Sequence, residues 1–88
     1  MNLKITVTAK DIRDGKRRAA FRCPIALACN RLKYPNASVC HSFIRFEFGG
    51  KETPTTKKMQ DWMGRFDLGK VVKPFFFTVK NAPKPRSL

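Results

Sequence analysis

Leu3-Lys4-Ile5-Thr6-Val7-Thr8 leads through a basic segment into Cys23-Pro24-Ile25-Ala26-Leu27-Ala28-Cys29-Asn30-Arg31-Leu32. Across that segment the hydrophobic period changes from two residues to about 3.6. Leu3, Ile5 and Val7 alternate with polar residues, which predicts a half-buried strand. Ile25, Ala28, Cys29 and Leu32 fall at helical spacing on one face. Proline suits the first helical position, where a missing N–H is no loss. Tyr34-Pro35-Asn36 ends that helix. A strand followed by a helix on the same short chain points to mixed structure around one core.

Working toward the C-terminus, Ser38 to Phe48 reads as extended. Its alternation puts Cys40, Ile44, Phe46 and Phe48 on one face and Val39, His41, Phe43, Arg45 and Glu47 on the other. Eleven residues exceed a usual strand, so the segment reads as two strands or one bent at a bulge. Gly49-Gly50-Lys51 is a turn signal. Thr53 is a candidate N-cap with Pro54 behind it, opening a helix that carries Met59, Trp62, Met63 and Phe66 on one face and stops at Gly69. Phe75 to Val79 is a last strand, rich in β-formers. The expected fold is α+β: a single domain over residues 1–80, with a three- to four-stranded, mainly antiparallel sheet and two helices on one face, in the order β-α-β(β)-α-β. Residues 81–88 read as a Pro/Lys-rich tail.

The chain has 88 residues, 19 Lys and Arg against 6 Asp and Glu, and a formal net charge of +13. Residues 1–34 carry +7 and residues 35–88 carry +6, so the charge is not confined to one tail. Self-repulsion of this order destabilises a compact monomer unless an anionic partner neutralises it. Nucleic acid is the commonest such partner, and an acidic protein surface is the alternative. No apolar run reaches the roughly 18–20 residues of a membrane span, and no membrane partner is expected. The N-terminus alternates and lacks the apolar core of a secretory signal. Three cysteines are an odd number and argue against a disulfide framework. A cytoplasmic setting is expected.

Between Asp11 and Pro24 lie Arg13, Lys16, Arg17, Arg18 and Arg22, arranged around Gly15 and running into a helix N-terminus. Cations beside exposed helical N–H groups make an anion site. These five, extended by Arg31 and Lys33, are the candidate nucleic-acid contacts. Their role is charge neutralisation, since lysine and arginine supply affinity and register while base reading needs a helix in a groove or exposed aromatics. Phe76, turned away from Phe75 and Phe77, is a stacking candidate. A solvated loop is the plainer account of the cations, and packing under a helix or at an interface is the plainer account of Phe76.

Other chemistries find less support. Cys23, Cys29, Cys40 and His41 lack the short paired spacings of zinc ligands, and cysteine is often simply a small buried hydrophobe. Cys23, at a helix N-terminus among arginines, is placed for a lowered thiol pKa. A catalytic Cys–His pair, however, has no carboxylate partner or oxyanion motif beside it. Asp14-Gly15-Lys16-Arg17 lacks the spacing of a phosphate-binding loop. A non-enzymatic protein without metal or cofactor is expected. The second functional reading is a protein-interaction module, in which the last strand pairs by edge addition with an acidic host or phage protein or forms a homodimer.

The order Asp11-Ile12, Gly15, Arg17, Cys23-Pro24-Ile25-Ala26-Leu27-Ala28, followed by Phe66-Asp67, Gly69, Val72, Pro74-Phe75 and Phe77, resembles small uncharacterised proteins encoded by bacteriophages and prophages. The resemblance covers nearly the whole chain up to Val79. It implies a phage setting, hence the host cytoplasm, and a compact α+β domain. It brings no known activity and no functional residue.

Overall fold

A computed structural model describes residues 3–32, 34, 36–46 and 52–80. Its first strand, β1 (Leu3–Val7), buries Ile5 and Val7 and turns Lys4 and Thr6 outward, as the alternation requires. Thr8 then caps a short helix, α1 (Ala9–Asp14). The Thr8 hydroxyl accepts from the Asp11 N–H at 3.2 Å, and the Asp11 carboxylate accepts from the Thr8 N–H at 2.9 Å. This reciprocal pair satisfies two backbone donors that a helix start otherwise leaves open. Gly15 closes α1, its N–H bonded to the Asp11 carbonyl at 2.8 Å.

The second helix, α2 (Pro24–Arg31), buries Pro24, Ile25, Ala26, Ala28 and Cys29. The small side chains let it lie close to β1 and α1. Its N-cap is Cys23, whose sulfur accepts from the Ala26 N–H at 3.5 Å. The extended segment that follows is a hairpin: β2 (Ser38–Val39) and β3 (Phe43–Arg45) pair with Val39 opposite Ile44. The fold back at residues 40–42 breaks the alternation expected along 38–48, so Val39, Ile44 and Phe46 are all buried in one core. The expected Gly49-Gly50-Lys51 turn, Glu47 and Phe48 lie outside the described residues.

A third strand, β4 (Glu52–Pro54), joins this hairpin. The helix expected from Thr53 therefore begins later. Thr56 caps α3 (Lys57–Asp67), its hydroxyl accepting from the Met59 N–H at 3.2 Å. Pairing of β4 with β3 claims Thr53 and Pro54, and the Arg45–Glu52 ion pair at 2.6 Å fastens the ladder at its other end. Proline is tolerated there because β4 is an edge strand. Gly69 follows α3 with a φ of +78°, the left-handed conformation expected of a helix stop. The last strand, β5 (Phe75–Val79), pairs antiparallel with β1, so that Ile5 faces Phe77 in the core.

The class is α+β and the strands are antiparallel, as expected. They divide into two sheets, β1-β5 and β2-β3-β4, rather than one, and α1 is an additional short helix. The chain order is β-α-α-β-β-β-α-β. One cluster gathers Ile5, Val7, Ile25, Ile44, Phe46, Met59 and Val79 from both sheets and from α2 and α3. The Cα radius of gyration of the fold, 11.9 Å, is that of a compact domain of this length. Residues 81–88, read from the sequence as a tail, lie outside the described residues. No helix among the described residues is long and apolar enough to cross a membrane.

Candidate nucleic-acid interface

The basic loop between α1 and α2 is held from four directions. The Lys16 N–H donates to the Arg22 carbonyl at 2.8 Å, closing the loop on itself. The Cys23 N–H donates to the Ala19 carbonyl at 3.0 Å, leading the chain into α2. The Val39 N–H donates to the Ala20 carbonyl at 2.9 Å, tying the loop to β2. The Arg18 N–H donates to Asp67 Oδ1 at 2.9 Å, tying it to the end of α3. Arg18 takes a φ of +54° at that contact, a conformation that side chains other than glycine adopt only where the surroundings impose it. The Arg17 guanidinium packs on Gly69, so close that a Cβ there would stand 3.0 Å from it. A cation at that place also complements the negative end of the α3 dipole.

Arg13, Lys16, Arg17, Arg18 and Arg22 are all exposed. Arg13 pairs with its exposed neighbour Asp14 at 3.3 Å, a contact of little energetic weight. Lys16, Arg17, Arg18 and Arg22 form no ion pair among the described residues. Arg31 is different. Its Nη1 donates to both oxygens of Asp11 at 2.7 Å, and its Nη2 donates to the Thr6 carbonyl at 2.6 Å. That guanidinium already serves the joint between β1, α1 and α2, so it leaves the set of free phosphate contacts. Lys33 lies outside the described residues.

Beside the loop, a cleft of about 260 Å³ opens between residues 18–25, the start of the β2–β3 turn and α3. Arg18, His41, Trp62, Phe66 and Asp67 line it together with Cys23 and Cys40. Cys40 and His41 were expected on opposite faces of a strand, yet both reach this cleft because β2 ends at Val39 and they lie in the turn. Among the described residues no group of three His, Cys, Asp or Glu side chains is arranged to hold a metal ion. The thiol of Cys23 departs from the sequence expectation. Burial pushes its pKa up, outweighing the N–H groups of Ala26 and Ile25 that favour the thiolate. The Cys29 thiol, buried on the α2 stripe, is pushed up to about 12 by the same desolvation. Burial thus favours the neutral thiol at both positions and makes both poor nucleophiles.

Phe76 stands on the outward face of the β1–β5 ribbon, 57% exposed, with the Lys4 ammonium 4.3 Å from its ring centre. The basic loop itself carries Phe21, 56% exposed, and the cleft beside it is lined by Trp62 and Phe66, which the sequence places on the apolar stripe of α3. Neither is fully buried. Their periodicity is that of a core face, and only the docking of the loop onto α3, across 49 residues of chain, turns part of that face into the wall of a cleft. Comparison with known protein families, with curated proteins and with solved structures finds no match.

Proposed function

We propose that this chain is a small basic phage-type protein that binds nucleic acid without catalysis, through phosphate contacts from Lys16, Arg17, Arg18 and Arg22, with Arg13 at the margin. One observation carries the reading: four cations without carboxylate partners among the described residues project from a loop whose backbone is fixed to β2, α2 and α3. A pre-ordered loop loses less freedom on binding than a mobile one. The net charge of +13 favours the same class of partner, and the phage setting rests on the sequence resemblance.

Titration of labelled DNA and RNA at two salt concentrations tests it. Each phosphate neutralised on duplex DNA contributes a slope of about −0.9 in log K against log salt, so four contacts predict a loss of about 10²-fold between about 50 and 200 mM salt. Joint substitution of Arg17, Arg18 and Arg22 by glutamine should remove most of that slope. No binding at low salt rejects the reading.

A second reading has its own observation. β5 pairs only with β1 among the described residues, and a groove runs along its other side. Consecutive residues Phe75, Phe76, Phe77 and Thr78 all line that groove, so it follows the edge of the strand. The Thr53 hydroxyl, which also lines the groove, is buried without a hydrogen-bond partner among the described residues. An extended acidic protein segment added to this edge satisfies both features. The triple glutamine variant separates the readings: an acidic polypeptide held at β5 binds it as it binds the parent, whereas nucleic acid binds it far more weakly.

A further inference from the structure

We propose that the cleft between the basic loop and α3 receives one unpaired nucleobase, stacked at the end of an aromatic ladder, while the loop arginines hold the flanking phosphates. The inference rests on the nucleic-acid reading and extends it from the backbone of the ligand to its bases.

The ladder is built from four rings and starts in the core, where Phe77 meets Phe75 at 5.9 Å between centroids. Phe75 meets Trp62 at 4.7 Å between centroids, and Trp62 lies parallel to Phe66, at 4° and 5.9 Å. The Trp62 indole N–H donates to the Lys73 carbonyl at 2.8 Å, which fixes that ring. Phe66 is the last ring of the ladder among the described residues, and it lines the cleft. A flat π-system laid there continues the stack, and every base offers such a face.

Size narrows the ligand. The cleft holds about 260 Å³, below the roughly 300–1,000 Å³ of sites that enclose a drug-sized molecule. A single nucleobase fits that space. Arg18 belongs both to the cleft wall and to the basic loop, so an anion gripped by the loop leaves its attached base at the cleft mouth. Polar partners for a base edge are present. Asp67 Oδ1 accepts from the Arg18 N–H, while its Oδ2 has no hydrogen bond among the described residues, and the exposed His41 lines the cleft. The protonated Cys23 thiol adds no charge to the floor.

A base inside a duplex is stacked and paired, so only an unpaired or extruded base enters such a cleft. The site therefore makes the protein prefer single strands, or strand ends and bulges, over a continuous duplex.

Trp62 is the only tryptophan in the chain, so its emission reports on this cleft alone. The full-length protein is titrated at low salt with a single-stranded oligonucleotide and with an oligomer of equal length made of abasic sites. Both should bind through their phosphates. The base-bearing strand should bind about ten-fold more tightly, as expected for one stacked base, and only it should change the Trp62 emission. Phe66→Ala should abolish that preference and leave abasic binding intact, whereas Phe76→Ala should leave the preference unchanged. Equal affinity for the two strands without an emission change overturns the stacking site and leaves the phosphate reading standing. Failure of both strands to bind overturns the nucleic-acid reading itself. The comparison of the two strands needs no variant, so a Phe66→Ala protein that does not fold leaves the test decisive.

Discussion

Asp11→Ala should lower the stability of this domain by about 3 kcal/mol, the sum of a lost helix cap and lost charge-assisted hydrogen bonds. Asp11 is the one buried charged residue among those described, at 6% exposure. Its carboxylate completes the reciprocal cap with Thr8 and takes two hydrogen bonds from Arg31. Arg31 in turn reaches the Thr6 carbonyl at the end of β1. One carboxylate thus joins β1, α1 and α2. Removing it leaves the Thr8 N–H open and a guanidinium facing a single carbonyl. Arg31 is 44% exposed, so water recovers part of that loss; the pair alone contributes less than a fully buried pair, about 3–5 kcal/mol, and the lost cap makes up the rest. Asp11→Asn, which retains a cap acceptor without the charge, should lose about half as much. Urea denaturation measures both. A midpoint unchanged in Asp11→Ala contradicts the account. A loss of this size is large against the roughly 4–13 kcal/mol expected for a domain of this length.

Gly15→Ala should cost about 2–3 kcal/mol, the upper part of the range for overpacking. The reason is space and not backbone conformation, since Gly15 has φ −71° and ψ 153°, which any residue adopts. A Cβ at this position would stand 2.6 Å from Cδ and Cγ of Pro24 and 2.7 Å from its nitrogen. The proline ring cannot rotate away, because it is closed on its own backbone at the first position of α2. Either the loop or the start of α2 must move. Gly64→Ala is the matched control. That glycine lies inside α3 with nothing within 4 Å of the added methyl, so alanine there should stabilise the protein by up to about 1 kcal/mol through helix propensity. Thermal or urea unfolding of the two variants should shift in opposite directions. A Gly15→Ala protein as stable as the parent shows that the loop and α2 are not packed as described.

The position of Gly15 links stability to binding. Its contact with Pro24 sets where the basic loop departs from α1 and where it enters α2. Displacing it moves Lys16, Arg17, Arg18 and Arg22 together, so the same substitution should weaken phosphate contacts without removing a charge.

Several elements were legible in the chain because their signals are local. β1 and β5 announce themselves by alternation and β-branched or aromatic residues, α2 by Pro24 and an apolar stripe, and the end of α3 by Gly69. The start of α3 was less legible because Thr53-Pro54 and Thr56 both resemble helix starts. Cross-strand pairing of Arg45 with Glu52 and Ile44 with Thr53 decides between them. The β2–β3 turn carries no glycine or proline. It is held from a distance, by the Thr55 hydroxyl donating to the His41 carbonyl at 2.6 Å and the Thr55 N–H donating to the Ser42 carbonyl at 3.0 Å.

The candidate site divides along the same line. By itself the sequence determined that this is a small α+β domain with a dense run of cations between a strand and a proline-led helix. Periodicity, caps and charge depend on residues close together along the chain. Only the tertiary structure decided which of those cations are free, that Arg31 belongs to Asp11, and that Trp62 and Phe66 meet the loop at a cleft. Those outcomes depend on contacts between residues far apart in the chain, such as Arg18 with Asp67, and no local pattern encodes which distant surface a loop will lie against.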